Sequence, residues 1–278
     1  MNKALNNLHP GPSVDRQKAS DDRYTLIKDL CFDGVFEEIA KDGRIGIVAL
    51  ATDYNLEQDI RRMLPSSVEV FTNRVLNANP MTLSNLKAMA PDIERAASGI
   101  LPGHGVDVMI YGCTSGTAAI GYENIMGLVH KSNPGIPVVT PLTATFAALE
   151  AMNVGRISIL TPYDRIINEA LLDSVLESGL GVDRFSGLGF DNDIDVTKVP
   201  LNTIREMAIG AFDDRSDALF ISCTAFRASR VIDDIEQAIG KPVISSNQAL
   251  AWQSLKMLGY KGHVAGYGKV FSTLGDAS

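Results

Sequence analysis

The chain is expected to fold as two similar α/β lobes, each built on a parallel sheet. Three observations carry that expectation. The segment Asp107-Val-Met-Ile-Tyr-Gly-Cys113-Thr-Ser115 recurs as Asp217-Ala-Leu-Phe-Ile-Ser-Cys223-Thr-Ala225, 110 residues further on. Two more strand-like segments recur in the same order. Arg44-Ile-Gly-Ile-Val-Ala matches Arg156-Ile-Ser-Ile-Leu-Thr at an offset of 112, and Pro137-Val-Val-Thr140 matches Pro242-Val-Ile-Ser245 at 105. Finally, short apolar runs alternate with segments of helical period, the pattern of parallel strands covered on both faces. Two copies are too few for a solenoid, so paired lobes are the simpler reading.

Residues 1 to about 22 are polar, with a Pro-Gly step, and are read as a flexible tail. A weak helical pattern covers residues 24–41, and 1–43 is taken as an N-terminal extension. The first lobe is assigned to 44–155 and the second to 156–278, with the last segment packing back on the first lobe. In the first, the unbroken β-branched run Ile45–Leu50 predicts a buried strand. A helix over Leu56–Met63 stops before Pro65, and Val68–Phe71 is the second strand. Helices follow over Leu83–Met89 and Ile93–Ile100. Val106–Tyr111 is the strand leading to the first repeated cysteine, and one helix runs on to about Val129. Val138–Thr140 is the last strand, and Thr143 is placed as the cap of a helix ending near Met152. The second half repeats the scheme. Strands are expected at Ile157–Leu160, Ala218–Ser222 and Val243–Ile244. Helices are expected at Ile166–Leu176, Ile204–Phe212, Val231–Ile239 and Gln248–Leu258, with Gly179, Gly240 and Gly259 as stops.

Composition narrows the function. Apolar residues make up 45% of 278, enough for a sizeable core. A net charge of −8 without a basic cluster argues against a nucleic-acid partner. No apolar stretch reaches the ~20 residues of a membrane span. Three cysteines, with no Cys-x-x-Cys and no secretory leader, point to free thiols in a reducing cytoplasm. The four histidines show no metal spacing. There is no phosphate loop and no Gly-x-Gly-x-x-Gly after a strand, so neither metal nor cofactor is expected.

What remains is the cysteine pair. In parallel α/β folds ligands bind beyond the carboxyl ends of strands, where Cys113 and Cys223 both fall. Lobes facing each other would bring the thiols to one cleft from opposite sides. Such a pair can take a proton from one face of a carbon and return it to the other. Helix amides next to a cysteine favour thiolate and can hold a substrate carboxylate. Thr114, Ser115, Thr117 and Thr224 add hydroxyls that could meet an enediolate, although each could equally cap a helix. Asn55 and Tyr163 follow matching strands and are candidate donors to a carboxylate. Asn247 follows a strand as either a ligand contact or a helix cap, and Asp53 reads as a turn acid. Arg227, four residues past Cys223, is expected to lower that thiol's pKa if a helix starts at once. Cys31 lies outside the repeat and reads as an ordinary buried thiol.

The segments Tyr111-Gly-Cys113-Thr-Ser-Gly-Thr117, Ser222-Cys223-Thr224, Thr161-Pro-Tyr163 and Ser246-Asn247-Gln-Ala-Leu-Ala-Trp252 resemble the aspartate/glutamate racemase superfamily. The chain is most similar to the branch holding maleate isomerase, arylmalonate decarboxylase and ectoine-utilisation racemase-like proteins, with Ala51-Thr-Asp53 closest to the last. The resemblance spans roughly Arg44 to Gly268. It implies two Rossmann-like lobes related by pseudo-twofold symmetry, with the active site between them, no metal and no cofactor. It also implies Cys113 and Cys223 as the acid/base or nucleophile pair, with Thr114, Ser115 and Tyr163 lining the carboxylate pocket. The expected function is a racemase, epimerase or isomerase of a small carboxylate, an amino- or hydroxy-acid derivative, with ectoine or hydroxyectoine catabolism as one setting. A homo-oligomer, dimer or tetramer, is expected. Maleate cis-trans isomerisation by covalent cysteine addition is the alternative. A decarboxylase keeping only the second cysteine, or a carboxylate-binding protein without catalysis, stand further back.

Overall fold

The structure, a computed structural model, describes residues 32–275. The chain divides into two compact units, Met1–Glu38 and Ile39–Ser278. Within residues 32–38 there is no helix, contrary to the helical pattern expected over 24–41. Phe32, Val35 and Phe36 are exposed there, and periodicity without burial does not hold a short helix. The polar tail and Cys31 lie outside the described residues.

In the second unit, β1 (Gly43–Leu50), β2 (Val68–Val75), β3 (Val108–Gly112) and β4 (Val138–Val139) form a sheet of order β2-β1-β3-β4. A second sheet, β6-β5-β7-β8, holds β5 (Arg156–Tyr163), β6 (Gly181–Phe190), β7 (Ala218–Ile221) and β8 (Val243–Ser245). Every pairing in both sheets is parallel. The α/β class is therefore as expected, and the strand order repeats.

The repeat extends to atoms. Asp107 Oδ2 accepts from the backbone N–H of Arg44 at 2.7 Å, and Asp217 Oδ2 accepts from that of Arg156 at 2.9 Å. The acid opening each cysteine segment thus secures the start of the neighbouring strand by accepting from a backbone N–H there. From that fixed start, the six-residue span delivers each cysteine just beyond the strand's carboxyl end.

Two elements depart from expectation in kind. Strand β6 and a short helix at Asp193–Lys198 fall where no element was assigned. Strand β6 is an edge strand, interrupted by Gly187 and Gly189 and by charged residues, and it pairs with β5 through two register shifts. Its sequence reads as loop because its hydrophobic alternation is broken. The helix after Cys113 is not continuous. It divides into α4 (Thr114–Ile120) and α5 (Tyr122–Ser132) at Gly121, where φ is +88°, a conformation glycine adopts freely.

The remaining helices are α1 (Leu56–Met63), α2 (Leu83–Ala88), α3 (Ala90–Ser98), α6 (Pro141–Ala151), α7 (Arg165–Glu177), α8 (Asp193–Lys198), α9 (Leu201–Ala211), α10 (Ile232–Ile239) and α11 (Ser246–Met257). The cap of α6 is Thr140, whose hydroxyl accepts from Thr143 N–H. Thr143 sits three residues in and closes the capping box. Helix α11 is buried on nearly all sides and packs against α1 and α6 of the first half. Its Leu250 and Leu255 are fully buried, each stabilising by about 2 kcal/mol. The final 3₁₀ turn, Lys269–Gly275, also packs on α6 and α11, where Thr273 accepts from the Trp252 indole at 3.0 Å. Among the described residues no helix is long and apolar enough to cross a membrane.

Candidate active site

Cys113 caps α4, its sulfur accepting from Gly116 N–H at 3.1 Å and lying 3.5 Å from the Ser115 hydroxyl. Thr117 donates to the Cys113 carbonyl at 2.7 Å. No room is left for a side chain at Gly116, since a Cβ there would stand 2.6 Å from the Tyr111 hydroxyl and 2.9 Å from the Cys113 sulfur. The thiol is therefore tightly positioned.

Cys223 is held differently. No helix follows it; the chain turns through residues 224–227 into a 3₁₀ turn at Ala228–Val231. Its own φ is +92°, the left-handed region, which costs a non-glycine residue ~1–3 kcal/mol. The Cys223 N–H donates to Ser246 Oγ at 3.1 Å, and Ser246 Oγ pairs with Thr114 Oγ1 at 2.9 Å. One serine thus links the loop behind Cys223 to the residue after Cys113. Thr224 Oγ1 also reaches across to the Gly112 carbonyl at 3.4 Å.

Tyr163 lies near both thiols. Its hydroxyl is in contact with Cys223 and close enough to Cys113 to feel its charge. Ser222 donates to it at 3.4 Å. Cys113 and Cys223 are both buried, 3% and 5% exposed. Burial pushes the Cys113 thiol up to about 12, with the Ser115 hydrogen bond opposing and the Asp193 charge adding to it. Burial likewise holds Cys223 well above its ordinary value, followed by the charges of Asp193 and Asp53. The expectation that Arg227 lowers the Cys223 pKa fails. With no helix after Cys223, the guanidinium turns away and donates to the Val199 carbonyl at 2.7 Å.

Asn55 and Asn247, 1% exposed each, are brought together at the Thr224 carbonyl. They donate to it at 2.9 and 2.8 Å, and their second amide protons go to Asp59 Oδ2 at 2.8 and 3.1 Å. Asp59 is fully buried, accepts from Ser229 at 2.6 Å and pairs with Arg230 at 3.1 Å, while Arg230 also donates to Asn55 Oδ1 at 2.9 Å. Both amide nitrogens are thus committed to the backbone next to Cys223 and to Asp59. Asp59 and Arg230 went unnoticed in the sequence, yet Asp59 shares the helical face of Leu56, Ile60 and Met63, a buried position for a charge.

Two carboxylates complete the surroundings. Asp53 is not an ordinary turn acid. It is 2% exposed, and its Oδ1 caps α1 by accepting from Asn55 and Leu56 N–H at 2.7 and 2.9 Å. Its Oδ2 has no partner among the described residues. Asp193, at the start of the unexpected α8, accepts from Thr52 Oγ1 at 2.7 Å and Asn77 Nδ2 at 3.3 Å. Burial raises the pKa of both, and each carboxylate further raises that of the thiols. Among the described residues no group of three or more His, Cys, Asp or Glu is arranged to hold a metal.

The sequence pattern of the arylmalonate decarboxylase family matches residues 48–271. The chain belongs to that family. It thereby falls within the aspartate/glutamate racemase superfamily, as its motifs suggested, and is an enzyme whose relatives are isomerases and a decarboxylase. It is 29% identical to the arylmalonate decarboxylase of Bordetella bronchiseptica over 140 residues, 49% of this chain and 58% of that protein. It is 24% identical to a maleate isomerase of Alcaligenes faecalis over 250 residues, 84% of this chain and 97% of the relative. The fold matches that of the Pseudomonas putida S16 maleate isomerase solved with maleate, at a TM-score of 0.76 and 22% identity, covering 83% of this chain and 97% of that one.

Proposed function

We propose that this family member is a racemase or epimerase of a small carboxylate, working through Cys113 and Cys223 with no group beyond its own side chains. The reading rests on one observation. The segments carrying two cysteines from equivalent positions of the repeat are linked through Thr114, Ser246 and the Cys223 backbone, with Tyr163 near both thiols. One thiolate removes the α-proton, so that an S–H bond forms and the C–H pair moves into an enediolate. The opposite thiol protonates the other face and is left as thiolate, and the next turnover runs in reverse. Ser115, Tyr163, Thr114 and Thr224 carry the hydroxyls proposed to meet the carboxylate. Asn55 and Asn247 are proposed to position the Cys223 loop through the Thr224 carbonyl. The resemblance of Ala51-Thr-Asp53 to ectoine-utilisation proteins suggests an ectoine-related amino- or hydroxy-acid derivative as one substrate setting.

A second reading, maleate cis-trans isomerisation by cysteine addition to the alkene, is favoured by the maleate isomerase relative matched over 84% of the chain. Incubation in heavy water separates the two. The racemase reading expects deuterium at the α-carbon together with loss of optical activity. Fumarate from maleate, with no α-exchange in any amino or hydroxy acid, would replace it with the second reading.

A further inference from the structure

The side chains of β3, the strand leading to Cys113, are apolar and buried, with one polar atom among them. Tyr111 is 0% exposed, and its hydroxyl has no hydrogen-bond partner among the described residues. A buried hydroxyl left open opposes folding and calls for a reason. The repeat supplies a control. At the offset of 110 the second cysteine segment carries Ile221 in this place, equally buried. The strand position itself therefore needs no hydroxyl.

The open hydroxyl stands next to the thiol. A Cβ on Gly116 would lie 2.6 Å from Tyr111 Oη and 2.9 Å from Cys113 Sγ. Both atoms thus crowd one bare stretch of the α4 backbone, no further apart than those two lengths together, and no side chain of residue 116 comes between them. The Cys113 charge in turn acts on Tyr111. At the sulfur itself, the Gly116 N–H and the Ser115 hydroxyl favour the thiolate, while burial, Asp193 and Asp53 oppose it. A thiol sulfur is a weak acceptor and does not draw a packed phenol toward it, whereas a thiolate does. At the other thiol a phenol is already in contact. The Tyr163 hydroxyl touches Cys223 and opposes the upward push of burial there.

We propose that Tyr111 is a positioning residue for the Cys113 thiolate: its hydroxyl turns to the sulfur and donates to it once the proton has left. This rests on Cys113 being a reacting thiol, as in the reading above, and holds whether that thiolate takes a proton or adds to an alkene. The hydroxyl opposes folding while Cys113 is a thiol and finds its partner when the thiolate forms, so the interaction belongs to the reacting state alone.

The test labels the intact chain with methyl methanethiosulfonate, a small uncharged reagent that forms a disulfide with a thiolate. Labelling is run at about pH 8, where a minority of each thiol is ionised, and the Cys113 and Cys223 peptides are followed separately by mass spectrometry. Cys223 is also buried and reports any general opening, so the ratio of the two rates isolates the chemistry at Cys113. Tyr111→Phe removes the hydroxyl alone. It should leave the urea midpoint unchanged or higher and lower the Cys113-to-Cys223 ratio about threefold. Losing one hydrogen bond to the thiolate means about tenfold less of it, partly offset by the greater nucleophilicity of a more basic sulfur. A ring-fluorinated tyrosine at the same position, a stronger donor of nearly the same shape, should raise the ratio. An unchanged or raised ratio in Tyr111→Phe overturns the proposal, as does an unchanged or lowered ratio with the fluorinated ring. If Tyr111→Phe does not fold, the fluorinated protein alone decides. Unmoved ratios alongside α-proton exchange in heavy water would remove Tyr111 from the site and leave the racemase reading standing. Ratios that move as expected with no α-exchange on any substrate would do the opposite.

Discussion

Replacing Asp59 with leucine removes the acceptor on which four donors converge: Asn55, Ser229, Arg230 and Asn247, at 2.6–3.1 Å. Each hydrogen bond to a charged acceptor contributes ~1.5–3 kcal/mol, and a simple sum would exceed the stability of most domains. The sum overstates the loss, because both asparagines keep their bond to the Thr224 carbonyl. What remains is a guanidinium stripped of its buried partner, for which ~3–5 kcal/mol is usual. In a unit of this size that lowers Tm by about 10 °C. Arg230→Met should cost less, about 2 kcal/mol, since Arg230 is 25% exposed and three donors stay on Asp59. The double variant should lose at least about 1 kcal/mol less than the sum, because neither charge is then left alone. Urea unfolding of the four proteins gives these numbers. Turnover should fall ~100-fold in both the Asp59 single and the double variant, even where stability is partly restored, because the Thr224 carbonyl beside Cys223 is no longer held in place. Strict additivity, or a double variant with wild-type turnover, would refute the reasoning.

Cys113→Ala and Cys223→Ala should each abolish racemisation while each still exchanges the α-proton of one enantiomer, seen by NMR in heavy water; near wild-type conversion by either contradicts a two-thiol mechanism. Cys223→Gly should be more stable than Cys223→Ala by about 1 kcal/mol in urea, because glycine adopts a φ of +92° without strain; equal midpoints would mean the loop relaxes freely. The pH dependence follows from Cys113. Its thiol rises from an ordinary 9.0 to about 12 on folding, so the folded chain holds that proton more tightly than the unfolded chain. The contribution is complete below pH ~9 and is lost as pH rises toward ~12, about 2 kcal/mol by pH ~10.5. Cys113→Ala should remove that part of the slope in alkaline urea titrations, and an identical slope in both proteins would argue against the buried thiol.

The repeat made most of the fold legible. Strands β1, β3, β5, β7 and β8 were readable because they are buried on both faces and so consist of unbroken apolar runs. Strand β6 was not, because an edge strand tolerates glycine and charge. Applying the same offset of 112 to Val68 would have pointed to its start near Gly181. Of the proposed site, the cysteines and their hydroxyl neighbours could be named from sequence, since the repeat singles them out. The positions of Asp193, Ser246 and Arg230 could not. Each acquires its place only from contacts across the two halves, which no local pattern encodes. Asp53 was visible but looked ordinary, because the sequence shows that a turn acid is present and not that one of its oxygens is left open.

The clasp on the Thr224 carbonyl also bears on how activity appears in time. Its hydrogen bonds join residues 169 and 188 positions apart along the chain, through Asn55 and through Asn247 to Asp59. Contacts of that sequence separation are among the last to close in a folding chain, after each sheet has gathered its own local crossovers. A refolding intermediate with both sheets formed but undocked would show native-like secondary structure and no turnover. Recovery of activity would then trail recovery of circular dichroism, and the interval between them would time the docking of one half onto the other.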